Sequence, residues 1–169
     1  MGIAADLTPL EILGVAIKSE IEAVRLYQSM ATRVVNRDLK ARLSFLAGEE
    51  EKHRRILENT YAKQFPGVPL ALPALSLVPA VDPALQETAP IPELFRLAMQ
   101  AEKLAEDFYA ELSGLAMEQN SRMALTYLAH IEHSHYEMLR GELEMVERFP
   151  SYYNAEEFEL GTEMTHFGP

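Results

Sequence analysis

Apolar residues recur at helical spacing along four stretches of the chain, and each stripe is interrupted near its middle by a glutamate. The first reads Ile12, Leu13, Ala16, Glu20, Ala23, Val24, Tyr27, Met30 and Ala31. It follows Thr8-Pro9-x-Glu11, a threonine N-cap with proline at the first helical position and glutamate at the third, so a helix is predicted over about residues 9–34. A turn at Asn36-Arg37-Asp38 leads into a second helix over about 38–62, whose inward stripe is Leu39, Leu43, Leu46, Glu50, His53 and Leu57. A third over about 92–117 turns Leu94, Ala98, Glu102, Ala105, Tyr109 and Leu112 inward. A fourth over about 121–147 turns Leu125, Leu128, Glu132, His135 and Leu139 inward.

Between the second and third stripes six prolines fall within residues 64–90, with Pro92 as a seventh at the head of the next helix, so no long helix survives there. A loop this long in a compact domain needs a reason. A helix of 25 residues is about 38 Å long. The linker can extend to roughly 90 Å, enough to run back along a bundle and start the third helix parallel to the second. A four-helix bundle with one long crossover is the ferritin-like arrangement. The prediction is therefore an all-α, ferritin-like four-helix bundle in one domain spanning 1–169. The bundle occupies about 9–147, the Pro-rich crossover about 64–90 and a tail 148–169. The tail is too irregular to assign, but its Tyr152, Tyr153, Phe158 and Phe167 suggest packing on the bundle or on a neighbouring subunit.

The chemistry-bearing positions occur twice. Glu20 is followed by Glu50-x-x-His53, and Glu102 by Glu132-x-x-His135, every member 82 residues after its counterpart. Tyr27 and Tyr109 keep the same register. So do Glu11 and Glu93, Ala16 and Ala98, Ala23 and Ala105, Leu43 and Leu125, Leu46-Ala47 and Leu128-Ala129, and Leu57 and Leu139. The chain reads as two copies of one helical hairpin related by a pseudo-two-fold axis.

A Glu and a His three apart on a helix share a face and can hold one metal from one side. One such pair alone is common on acidic helices. A Glu from each of two helices with Glu-x-x-His from each of two others is the ligand set of a di-metal carboxylate site. Glu20, Glu50, Glu102 and Glu132 each stand where the stripe calls for an apolar residue, and four uncompensated carboxylates in a core would be costly. Two divalent cations balance them. Carboxylate and imidazole donors in open sites favour iron and manganese, with zinc as a further substitute, and Tyr27 and Tyr109 can each donate a hydroxyl to a ligating carboxylate.

Other polar residues read more plainly. Glu49 and Glu51 flank Glu50 on a solvated face, Glu22 and Glu106 are surface residues with Glu106 one turn from Glu102, and His130 and His133 form a half-exposed pair. His166 lies in the tail. Met30, Met99, Met117, Met123 and Met138 read as core filler.

Composition narrows the function. The absence of Cys excludes disulfides, thiolate metal sites and thiol catalysis, and fits a cytoplasmic location. A net charge of −11, from 15 basic and 26 acidic residues, disfavours nucleic acid and anionic membranes. The most apolar stretch, 68–81, is too short and proline-broken to span a bilayer, and no signal peptide is expected from the first residues. The apolar linker and aromatic tail suggest a homodimer.

The segments KSEIEAVRLY, EEEKH, QAEKLAEDFY and IEHSH resemble the rubrerythrin branch of the ferritin-like superfamily, over nearly the whole of 9–147. That resemblance implies Glu20 and Glu102 as terminal ligands, Glu50 and Glu132 bridging two irons, and His53 and His135 each binding one. It implies oxidation of a diferrous site by hydrogen peroxide or oxygen. Two features depart from the family. There is no Cys-rich rubredoxin domain, so turnover requires an external electron donor such as a rubredoxin-like protein. The glutamate commonly found one turn beyond the third-helix ligand is also missing: Ala105 follows Glu102 by three residues and Glu106 by four. A peroxidase-like oxidoreductase is the first expectation. An iron-binding or storage protein with ferroxidase activity is the alternative, and a bundle with a vestigial site is the third.

Overall fold

Thr8 opens the first helix with the capping box its sequence predicts: its hydroxyl accepts the Glu11 N–H, and the Glu11 carboxylate accepts the Thr8 N–H at 2.8 Å. Helix α1 spans Pro9–Arg33. The Asn36 side chain accepts the Leu39 N–H at 2.9 Å and caps α2, Arg37–Gln64. The turn is therefore shorter than the sequence suggested, because Asn36 serves as a cap and Arg37 is already helical. Gly67, at φ 79°, takes the left-handed conformation just beyond α2. Helix α3 spans Ile91–Leu115 with proline in its first turn, and α4 spans Gln119–Arg148. This computed structural model describes residues 7–79, 88–117 and 119–151, and the aromatic tail and His166 lie outside them. The described residues contain no strand, and none of their helices is long and apolar enough to cross a membrane.

Helix α1 packs along α2, and α3 along α4. The two hairpins meet through α1 against α3 and, more lightly, α2 against α4. The crossover runs back beside α1. Pro73 lies against Gly14, where a Cβ would meet the proline ring at 3.1 Å. Lys18 Nζ donates to the Ala74 carbonyl at 3.1 Å, and farther along Arg33 donates to the Ala89 carbonyl. The chain thus returns to the end of the bundle where α2 began, so α3 runs parallel to α2. This is the ferritin-like bundle with one long crossover.

The apolar core is divided in two. One cluster gathers the second half of α1, the first half of α2, the first half of α3 and the end of α4, around Leu26, Met30, Leu39, Leu43, Phe95 and Leu139. The other gathers the opposite halves, around Val15, Ile17, Leu57, Phe108, Leu112 and Leu128. The predicted ligands lie between these clusters on all four helices. Met30 is core, and Met99 and Met138 pack partly buried against it. Met117 and Met123 are not core filler. Met117 sits in the α3–α4 link at 97% exposure, and Met123 on the outer face of α4 at 63%.

Ser19 fixes the crossover to α1. Its buried hydroxyl donates to the Val15 carbonyl and accepts the Leu77 N–H, both at 2.8 Å. The repeat-related position is Ala101, so the helix itself accepts alanine there. Ser19→Ala leaves the buried Leu77 N–H without its acceptor and should lower unfolding free energy by roughly 1–3 kcal/mol. Denaturant unfolding reads this directly; an unchanged midpoint would mean the serine does not hold the strap.

Candidate metal centre

Six polar side chains from the four helices converge between the two apolar clusters. Glu20, Glu50, His53, Glu102, Glu132 and His135 are each at most 3% exposed. Their donor atoms form two overlapping groups, each within 4.8 Å of one another: Glu20, Glu50, His53 and Glu132 in one, Glu50, Glu102, Glu132 and His135 in the other. Glu50 and Glu132 belong to both. Each group draws three residues from one hairpin and one from the other, so either group joins the hairpins.

The geometry repeats across the pseudo-two-fold axis. His53 Nδ1 lies 3.0 Å from Glu132 Oε1, 3.2 Å from Glu50 Oε2 and 3.9 Å from Glu20 Oε2. His135 Nδ1 lies 2.8 Å from Glu50 Oε1, 3.4 Å from Glu132 Oε2 and 3.7 Å from Glu102 Oε2. The imidazoles stack with centroids 5.6 Å apart and planes at 17°. The tyrosines cross over: Tyr27 of the first hairpin donates its hydroxyl to Glu102 of the second, and Tyr109 of the second donates to Glu20 of the first.

Buried polar atoms without hydrogen bonds are rare, and this cluster holds four: Glu50 Oε1, His53 Nδ1, Glu132 Oε1 and His135 Nδ1. They pair by distance, yet neither pair has hydrogen-bond direction. The donor set is four carboxylates and two imidazoles with lone pairs facing one small volume, which suits cations preferring oxygen and nitrogen ligands. The residues fit two metal ions.

The rubrerythrin family model matches residues 11–143, the stretch containing all six of these side chains. The chain belongs to the rubrerythrin family. A solved structure of a hypothetical protein from Pyrococcus furiosus is similar over 92% of this chain and 97% of that one, at 34% sequence identity and a TM-score of 0.80. None of the curated proteins compared with the chain matches it.

Two features set this rubrerythrin-family chain apart at its centre. It has no Cys, so no thiolate-bound iron lies within the chain to supply electrons. Glu106, one turn beyond Glu102, stays outside both donor groups: its carboxylate pairs with Lys103 Nζ at 3.2 Å and His133 Nδ1 at 3.3 Å on the exposed side of α3 and α4. Ala105, at the position where a further ligand would face inward, offers no donor. Glu49 and Glu51 pair with Lys52 and with Arg54 and Arg55, as their outward placement predicted. Sequence reasoning placed the tyrosines beside the carboxylates but not their crossing between hairpins, which spacing along one helix cannot reveal. It also missed Ser19.

Without metal, protons do part of the neutralising. Burial pushes the Glu20 carboxyl well above the usual range, and the carboxylates of Glu132 and Glu50 add to it. Burial does the same to Glu102, with Glu50 and Glu132 adding. Burial also raises Glu50, but the imidazoles of His135 and His53 outweigh it and hold that carboxyl below the usual range. Burial opposes a charge on His53, yet Glu132 and Glu50 raise its pKa to about 9. His135 is raised further by Glu102, Glu132 and Glu50 against the same opposition. Burial and the neighbouring carboxylates raise both tyrosine hydroxyls, which therefore remain donors.

A carboxyl raised in the folded state costs stability once the pH exceeds its unfolded value. At pH 7 both Glu20 and Glu102 therefore weaken the metal-free fold. Glu102→Gln keeps an oxygen to accept from Tyr27 and removes the ionisable group. It should stabilise the metal-free protein by roughly 1–3 kcal/mol and reduce the rise in melting temperature on adding Mn(II) or Fe(II). A metal-free variant melting below wild type would contradict this account of the cluster.

Proposed function

We propose that this protein is a di-iron carboxylate oxidoreductase. Glu20, Glu50, His53 and Glu132 would hold one iron, and Glu102, Glu132, His135 and Glu50 the other, with the carboxylates of Glu50 and Glu132 shared. The observation that carries the reading is the set of four inward-facing donor atoms without hydrogen bonds in a cluster otherwise sealed by apolar residues. When bound, an iron pair supplies two electrons, which with two protons reduce hydrogen peroxide to two molecules of water, and it can pass electrons to oxygen.

The chain's own groups hold the ligands and keep the site dry. Tyr27 and Tyr109 fix the orientation of Glu102 and Glu20 through their hydroxyl hydrogens. Leu46 and Ala47 on one side, and Leu128 and Ala129 on the other, are buried near the shared carboxylates and exclude bulk water. The electrons must come from outside the chain, and a small iron–sulfur or rubredoxin-like protein would be a suitable donor.

An anaerobic Fe(II) titration of the metal-free protein should saturate at two irons per chain and fail in Glu50→Ala, which removes a carboxylate shared by both groups. Rapid oxidation by hydrogen peroxide, followed by near-ultraviolet absorbance, supports the peroxidase reading. Faster oxidation by oxygen than by peroxide would instead favour iron handling by ferroxidase chemistry. Binding of Fe(II) by Glu50→Ala equal to wild type would sink the site assignment.

A further inference from the structure

The crossover covers α1 but has no described counterpart on α3. The helices nearly repeat, so the difference appears in exposure. Gly14 and Ile17, under the crossover, are buried, whereas their counterparts 82 residues on, Arg96 and Met99, are exposed and half-buried. Where the crossover would lie on the second hairpin there is a groove of about 340 Å³ lined by Arg96, Met99, Gln100, Lys103, Leu104 and Tyr136. The five α3 residues are the counterparts of Gly14, Ile17, Lys18, Ile21 and Glu22. Gly14 and Lys18 are contacted directly by Pro73 and Ala74.

Continued past the helices, the same offset sets residues 148–169 opposite crossover residues 66–87 by position alone, with no residue shared. We propose that residues 152–169, which lie outside the described residues, seat in this groove as the second hairpin's counterpart of the crossover. Connectivity permits it. Arg96 at one end of the groove pairs with Glu147, one residue before the end of α4, so the chain leaves its last helix beside the seat. The five α3 residues span about 12 Å at the helical rise, far less than the roughly 60 Å that 18 extended residues can reach.

The chemistry also matches. Residues 152–169 carry Tyr152, Tyr153, Phe158, Leu160, Met164 and Phe167, four glutamates, and neither Lys nor Arg. The groove has an apolar floor in Met99 and Leu104 and a basic rim in Arg96 and Lys103. Those cations already pair with Glu147, and with Glu106 and Asp107, so burial of apolar surface supplies most of the drive and charge sets the preference for an acidic segment.

The absence of cysteine makes the test direct. Gln100 and Glu156 are the counterparts of Lys18 and Ala74, which touch across the α1 seat. In the full chain, Gln100→Cys with Glu156→Cys should form a disulfide within one molecule on mild oxidation, at a yield independent of protein concentration. Ala41→Cys, on the exposed face of α2, with Glu156→Cys should not. Linkage between chains would give the groove to a second copy's tail and overturn the proposal. So would the absence of any link, also with Ala155→Cys or Phe158→Cys in place of Glu156→Cys. Cleavage by a glutamate-specific protease gives a second reading: Met99→Glu, which spoils the groove floor, should speed cutting between 156 and 163 severalfold, and an unchanged rate would equally overturn it.

Discussion

Four carboxylates closed off from water in the middle of the bundle are the constraint around which the rest of this structure is arranged. An apolar core running the length of four helices would be simpler and more stable, but here it is cut into two clusters by a layer of Glu20, Glu50, Glu102, Glu132, His53 and His135. That layer persists only if its charges are compensated from within, because water does not reach it. The two imidazoles and the two tyrosine hydroxyls compensate in part. The four donor atoms without hydrogen bonds mark what they leave over.

The same layer joins the two halves of the molecule. Within a hairpin the helices lie in close contact along their length, while contact between hairpins is lighter, above all between α2 and α4. The tyrosines bond only across that division, and each four-donor group takes one carboxylate from the opposite hairpin. A cation in either group therefore ties the hairpins together, so binding and bundle stability are thermodynamically linked. Replacing the layer with apolar residues would leave a bundle with a better core and no reason to bind metal.

Much of this was legible in the sequence because the costly residues break the cheap pattern. A glutamate in an apolar helical stripe is conspicuous, and its recurrence 82 residues later with the same His and Tyr turned a common motif into a ligand set. The crossover announced itself through its prolines. What could not be read were relations between elements. Spacing along α1 puts Tyr27 two turns from Glu20, but only packing shows that its hydroxyl reaches Glu102. Ser19 looks like an ordinary small residue until Leu77 is seen to need an acceptor. Met123 misled because hydrophobicity alone does not say which way a helix face turns, and Met117 because α3 ends at Leu115 and leaves it exposed in the link.

The repeat holds best where the chemistry is and fails where the chain must connect. The ligand distances of the two halves agree within a few tenths of an ångström, whereas the outer residues of α1 and α3 diverge freely: Gly14 against Arg96, Ser19 against Ala101, Val24 against Glu106. This is the expected result when two matched groups of buried carboxylates and imidazoles demand equivalent surroundings but a single chain has one crossover to place. Gly14 leaves room for Pro73, and Ser19 supplies an acceptor, because the crossover lies on that side. On the other side, Arg96 pairs with Glu147, and Glu106 with Lys103 and His133. The asymmetry of the outer layer is therefore imposed by connectivity, and the symmetry of the inner layer by the demand for balanced charge.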